Sequence, residues 1–319
     1  MISNLFKQLI VADIQNKYRA IEIPGITDAF LGSDEKGRPC FFLESNDNII
    51  QPSLSTEHLL LSINQEYKLS FPDGLKRDER YIVLLCLSDS PEDIDTFLIL
   101  LEAFLTNNKN NLKFESMLSF FHSLVRLFSI KPIGDIKSRR QGLWGELLLM
   151  RRVIGYAFWA PYWQTESNRL FDFSAHSNRV EVKTTLKPVR IHVVSHKQVF
   201  PQGNDVIFIT SIQLREDDVG VSLRTLIYEC REAFKFTPYY FKIENAIRYA
   251  KMQDPAEEGP KFSINEAEHS IRWFNSKDVP KFKSEEPEGV SGTHYSIDLT
   301  NSTPIDDSQL YDWLNTWHT

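Results

Sequence analysis

Residues 171–185 read FDFSAHSNRVEVKTT, two short alternating runs separated by turn residues, the pattern of a β-hairpin. Strand side chains point to opposite faces with a period of two. Phe171 and Phe173 therefore take one face, while Leu170, Asp172 and Ser174 take the other. In the second run Val180, Val182 and Thr184 share a face, and Glu181, Lys183 and Thr185 share the opposite one. His176, Ser177 and Asn178 have turn chemistry. A hairpin centred near Ser177 sets Asp172 opposite Glu181 or Val182, so that Asp172, Glu181 and Lys183 converge on one polar patch over an apolar sheet.

Those residue types suit metal-assisted phosphodiester chemistry. Two neighbouring carboxylates bind a hard cation such as Mg²⁺ or Mn²⁺ through oxygen and leave coordination positions for water and a phosphate. The cation acidifies a bound water and neutralises charge at phosphorus. An ammonium two residues after the second carboxylate projects on the same side, where it can stabilise the attacking hydroxide or a non-bridging oxygen.

Upstream, residues 135–155 read DIKSRRQGLWGELLLMRRVIG. At helical spacing Leu143, Trp144, Leu147, Leu148, Met150, Val153 and Ile154 form a broad apolar arc, and Glu146 falls inside it. A carboxylate on a core-facing edge is costly without a compensating cation. The cation is either a metal, which makes Glu146 a third ligand, or the guanidinium of Arg139 or Arg179. Gly142 and Gly145 weaken a helix by about 1 kcal/mol each relative to Ala, which signals close approach of another backbone or a ligand.

GELLLM (145–150), FDF (171–173), VEVKTT (180–185) and RIHVVSHKQV (190–199) together resemble the PD-(D/E)XK-motif proteins of bacterial restriction and phage-defence neighbourhoods, within the restriction-endonuclease-like superfamily. The resemblance covers residues 130–235 and extends loosely to YSIDLT (295–300). It implies an α/β (α+β) fold with an αβββαβ core, divalent-metal-dependent cleavage of DNA, and catalytic roles for Asp172, Glu181 and Lys183. The metal set it implies is Glu146, Asp172 and Glu181. It also implies defence-system partner proteins encoded nearby, and leaves a homodimer open. Phe171 stands where the motif carries proline, a change that removes no functional group. The rival reading is a catalytically idle DNA-binding or scaffolding subunit.

Net charge is −7 over 319 residues, yet it is unevenly spread. Residues 1–130 sum to −6, residues 131–197 to +7 and residues 198–319 to −8. A basic segment coinciding with the hairpin is the footprint of a cleft that meets phosphates. Lys137, Arg139 and Arg140 of KSRR, with Lys187, Arg190, His192, Lys197 and Gln198, are the expected DNA-facing positions; the bland reading of KSRR is a solvated helix start. His192 and His196 are four apart, but the β-branched run between them favours a strand and argues against a zinc pair. Phe158, Trp159, Tyr162 and Trp163 read as core before base-stacking platform. No glycine-rich phosphate loop is present.

Three distant cysteines, Cys40, Cys86 and Cys230, fit neither a disulfide framework nor a zinc site and point to reducing cytoplasm. No apolar run approaches a membrane span, so no membrane partner is expected. YRAIEI, CFFLE, HLLLSI, EYKLSF and YIVLLCL make residues 1–108 a β-rich N-terminal domain of unassigned role. Residues 109–236 form the expected nuclease core, and residues 237–319 a C-terminal extension packed on it.

Overall fold

The computed structural model describes residues 1–11, 18–45, 52–109, 112–130, 135–166 and 169–318. The chain divides into two compact units, residues 1–131 with 235–244, and residues 132–234 with 245–319.

In the first unit α1 (Ile2–Val11) precedes β1 (Tyr18–Glu22), β2 (Ala29–Ser33), β3 (Pro39–Glu44), β4 (Leu54–Ser55), β5 (Leu59–Ser70) and β6 (Lys76–Cys86). Helices α2 (Pro91–Asn108) and α3 (Phe114–Phe128) follow. The strands run in the order β1-β2-β3-β6-β5-β4, and β1 also pairs in parallel with β5, Tyr18 opposite Leu69. That extra pairing closes β1-β2-β3-β6-β5 into a ring, with β4 appended to β5, and covers strand edges that would otherwise template aggregation. Ala20, Phe30, Phe42, Leu69, Tyr81 and Val83 pack together among its strands. HLLLSI and EYKLSF, which read as two strands, form the single strand β5. The register slips between Ser62 and Gln65, where Asn64 adopts φ 50°, so a bulge breaks the alternation without ending the strand. Helix α3, expected to open the second domain, lies in this first unit.

The second unit opens with α4 (Ile136–Arg152), whose N-cap Asp135 accepts from the Lys137 and Ser138 N–H groups. The short α5 (Tyr156–Trp159) leads to β7 (Phe173–Ala175), β8 (Asn178–Thr185), β9 (Ile191–Ser195), α6 (His196–Val199), β10 (Val206–Gln213), β11 (Glu216–Ser222) and α7 (Leu223–Phe234). Beyond α8 (Tyr240–Tyr249) come β12 (Lys261–Phe262), α9 (Ile264–Ser270), β13 (Arg272–Asn275), β14 (His294–Asp298) and α10 (Asp307–Leu314). The central sheet has the order β13-β10-β8-β7. Strand β8 is antiparallel to β7, with Phe173 opposite Val180, and parallel to β10, with Glu181 opposite Ile209 and Lys183 opposite Ser211.

Two pairings depart from the sequence reading. Strand β13 supplies an edge of the central sheet from within the supposed C-terminal extension, its four residues being too few for alternation to stand out. Strand β9 pairs antiparallel with β14, Ile297 opposite His192. Val194 of β9 packs with Ile209, Phe274, Ile297 and Leu299, so the β9–β14 ribbon covers the sheet face that carries Ile209. Ile154 also leaves its expected place: α4 ends at Arg152, and Ile154 turns outward at φ 63°. Among the described residues, no helix is long and apolar enough to cross a membrane.

Helix α4 lies on the opposite face of β8. A Cβ at Gly145 would meet Thr184 Cγ2 at 2.3 Å and Val182 Cγ1 at 3.6 Å, whereas one at Gly142 would meet nothing within 4 Å. Of these two helix glycines, Gly145 alone marks a close approach. Gly145→Ala should therefore destabilise the protein by about 1–3 kcal/mol through overpacking, while Gly142→Ala should leave it unchanged or stabilise it by up to about 1 kcal/mol. Urea denaturation of both variants checks this, and equal effects would contradict the packing.

Candidate active site

The β7–β8 hairpin brings the predicted triplet together. Asp172, one residue before β7, donates its N–H to Val180 O at 3.0 Å, which continues the ladder and sets Asp172 beside Glu181. Its Oδ2 accepts from the Val182 N–H at 2.7 Å. Alternation along β8 places Glu181 and Lys183 on one face, where Lys183 Nζ stands 2.7 Å from Glu181 Oε1. His176, at φ 49°, takes the left-handed conformation that closes the turn.

Glu146 reaches this patch through an intermediary. It is 5% exposed, comparable to Asp172 and Glu181 at 6% each, although it lies on α4, the helix packed on the Val182–Thr184 face. Arg169 connects the two sides. Its Nη2 lies 2.5 Å from Glu146 Oε1 and 3.0 Å from Asp172 Oδ1, and its Nη1 donates to Glu146 Oε2 at 3.1 Å. Trp163 Nε1 completes the Glu146 carboxylate with a 2.7 Å bond to Oε2. The cation that Glu146 required is thus neither Arg139 nor Arg179. A lone arginine three residues before Asp172 was its sole signal, and nothing in the periodicity marked it.

Burial dominates the electrostatics. It raises the Glu181 carboxyl to about 8, with Asp172 adding to the rise and Lys183 and Arg169 opposing it. Glu146 is raised to about 7, again by burial, against the pull of Arg169. Burial would lower Lys183, but Glu181 outweighs it and holds the ammonium protonated. Arg169 is likewise held charged, burial being outweighed by Glu146 and Asp172.

Asp172 and Glu181 offer hard carboxylate oxygens on one face, the donor chemistry a divalent cation prefers. Among the described residues, no three His, Cys, Asp or Glu side chains form a metal-ligand cluster. The expected third ligand, Glu146, is engaged instead by Arg169 and Trp163.

Two clefts meet at Arg169. One, of about 390 Å³, is lined by Arg139, Gly142, Glu146, Arg169 and Tyr249 among others. The second, of about 450 Å³, is lined by Arg169, Leu170, His176, Arg179 and Asp205 among others.

The family model described as "Putative PD-(D/E)XK family member, (DUF4420)" matches residues 2–300. The chain belongs to this family. No curated protein and no solved structure matches it. The DUF4420 match spans nearly the whole chain and covers the strands of the first unit as well as the hairpin.

The expected DNA-facing residues separate into two groups. Lys137, Lys187 and Lys197 are exposed, and Arg139 lines the first cleft with its guanidinium 5.9 Å from the Tyr249 ring centre. Arg140 is instead a tie, paired with Glu257 and donating to the carbonyls of Ala250 and Lys251. Arg190 and His192 are buried, because β9 turns its even-numbered side chains toward β10. Arg190 Nη1 donates to Ser211 O at 2.7 Å and its Nη2 to Ser270 O, while His192 Nε2 lies 2.8 Å from Ser211 Oγ. Burial pushes His192 down to about 4, which leaves the ring neutral. Gln198 braces the site: its Nε2 donates to Leu170 O at 2.9 Å, and its Oε1 accepts from Lys183 Nζ at 3.4 Å. Trp159 and Trp163 are fully buried core.

The raised carboxyl groups set a pH dependence. Stripped of divalent ions, the folded chain holds protons on Glu146 and Glu181 that the unfolded chain, with carboxyls near 4.5, has released. Their contribution to stability is present below that value and is lost as pH rises through about 7 and 8. Urea denaturation in chelator should show stability falling from pH 5 to about pH 8.5, with a shallower fall in Glu181→Gln. A wild type and variant of identical slope would refute the assignment.

Proposed function

We propose that this protein is a divalent-metal-dependent endonuclease that hydrolyses DNA phosphodiester bonds. The observation that carries this reading is the buried Asp172–Glu181 carboxylate pair, with the Lys183 ammonium within a hydrogen bond of Glu181. Family membership supports it.

When bound, Mg²⁺ or Mn²⁺ supplies an acidified water and neutralises charge at phosphorus. Asp172 and Glu181 would hold it. Val182 N–H orients the Asp172 carboxylate, so that ligand needs little rearrangement. Lys183, held protonated by Glu181 and braced by Gln198, is placed to donate to a phosphate oxygen as charge develops there. Arg139 in one cleft and Arg179, paired with Asp205, in the other are the arginines a phosphate backbone beside the site would meet. Lys137, Lys187 and Lys197 add long-range attraction that falls with salt.

Placement in a restriction or phage-defence system of the cytoplasm, beside partner proteins, and a homodimeric state, belong to the same reading. Cys40, Cys86 and Cys230 are buried and outside any disulfide, in keeping with a reducing compartment. A second reading, the idle DNA-binding or scaffolding subunit, draws support from one observation: Arg169 already bridges Glu146 and Asp172.

Cleavage separates the two. With Mg²⁺ or Mn²⁺ and several DNA forms, together with neighbouring gene products if needed, Lys183→Ala and Asp172→Asn should each lose hydrolysis by about two to three orders of magnitude. DNA affinity of Lys183→Ala should stay near wild type, since one ammonium among many contributes little to phosphate attraction. Cleavage that survives unchanged in both variants assigns the nuclease to another protein.

A further inference from the structure

Arg169 is the most exposed member of the buried charge cluster. It lies outside any helix or strand, in the connection that runs from Trp163 to β7. Its side chain is 28% exposed, against 6% for Glu146 and 9% for Asp172. It borders both clefts, so its guanidinium has polar space to enter on either side. Its partners in the present position are the two Glu146 oxygens, Asp172 Oδ1 and the Gln164 carbonyl. Asp172 is also one of the two carboxylates proposed to hold a divalent ion, so the guanidinium and that ion make claims on one group.

We propose that Arg169 is a resident, exchangeable cation of the site. Its guanidinium clasps Glu146 and Asp172 until a divalent ion takes Asp172, and then turns into the adjoining cleft to bind substrate phosphate. The exchange adds one positive charge to the site, a compact dication entering as a delocalised monocation leaves, so that the dication and Lys183 together match the three carboxylates, while Trp163 Nε1 stays on Glu146. Released, the guanidinium fork matches phosphate oxygens as well as it matched the carboxylate, through paired N–H···O bonds. Arg139 lines one cleft, and Arg179, paired with Asp205, lines the other. Ion loading and phosphate binding are thereby coupled through one side chain. The inference rests on the metal-dependent reading above and adds to it a competitor for the ion and a conditional phosphate ligand.

The test uses the full chain and titrates Mn²⁺ by calorimetry into wild type, Arg169→Gln and Asp172→Asn. Arg169→Gln should melt below wild type in chelator, recover in Mn²⁺, and bind Mn²⁺ about tenfold or more tightly because a charged competitor is gone. Methylguanidinium should restore its melting temperature in chelator and weaken its Mn²⁺ binding competitively, a signature that a purely structural arginine would not give. Ca²⁺ should make the affinity of wild type for a short duplex depend on Arg169, with Arg169→Gln severalfold weaker in Ca²⁺ and equal in chelator. Should Arg169→Gln fail to fold, the Arg169 Nε–Hε resonance of ¹⁵N-labelled wild type, assigned with Arg169→Lys, should shift on Ca²⁺ addition. Mn²⁺ binding that is lost in Asp172→Asn but unchanged or weaker in Arg169→Gln, or an Arg169 resonance unmoved at saturating Ca²⁺, overturns the exchange and leaves the metal reading standing. Absence of Mn²⁺ binding in wild type and Arg169→Gln alike overturns both.

Discussion

The bond from the Val182 N–H to Asp172 Oδ2, 2.7 Å long and buried, is the interaction on which the site depends. It fastens the start of β7 to the middle of β8 at the residue where the ladder ends, and so holds Asp172 in place beside Glu181. The hairpin turn alone would leave Asp172 at a fraying end. Because a one-residue slip in register would carry every β8 side chain to the other face, this bond also keeps Glu181 and Lys183 on the face away from α4. The Gly145–Thr184 approach works on the other face to the same end, since Thr184 packs where a side chain at Gly145 would stand.

Three buried carboxylates, Glu146, Asp172 and Glu181, share two cations, Arg169 and Lys183. Burying charge costs several kcal/mol per ion unless partners and hydrogen bonds offset it, and here the offset is incomplete, which is why Glu146 and Glu181 are raised while both cations stay protonated. A divalent ion would supply the positive charge that ionising all three carboxylates lacks. The same imbalance explains the role of the surrounding polar groups. Trp163 serves Glu146, Gln198 serves Lys183, and neither aims at solvent.

Local alternation was enough to read the hairpin, the shared face of Glu181 and Lys183, and the burial of Glu146, because each rests on period-two or helical spacing within one element. What was not legible crosses between elements. Arg169 and Trp163 meet Glu146 from a connection with no periodicity. The pairing of β9 with β14 joins residues about a hundred apart, so Arg190 and His192 read as cleft-facing when β10 and Ser270 bury them. Strand β13 escaped notice because four residues carry too little pattern, and β5 was read as two strands because its bulge at Asn64 inverts the alternation midway.

Anomalous diffraction at the manganese edge, from crystals grown with Mn²⁺, addresses the carboxylate pair itself. A peak about 2.1 Å from oxygens of both Asp172 and Glu181, with the Arg169 guanidinium withdrawn from Asp172, is the expected result. No peak at saturating Mn²⁺, or a peak elsewhere with Arg169 still clasping Glu146 and Asp172, would contradict a metal-dependent site on this hairpin.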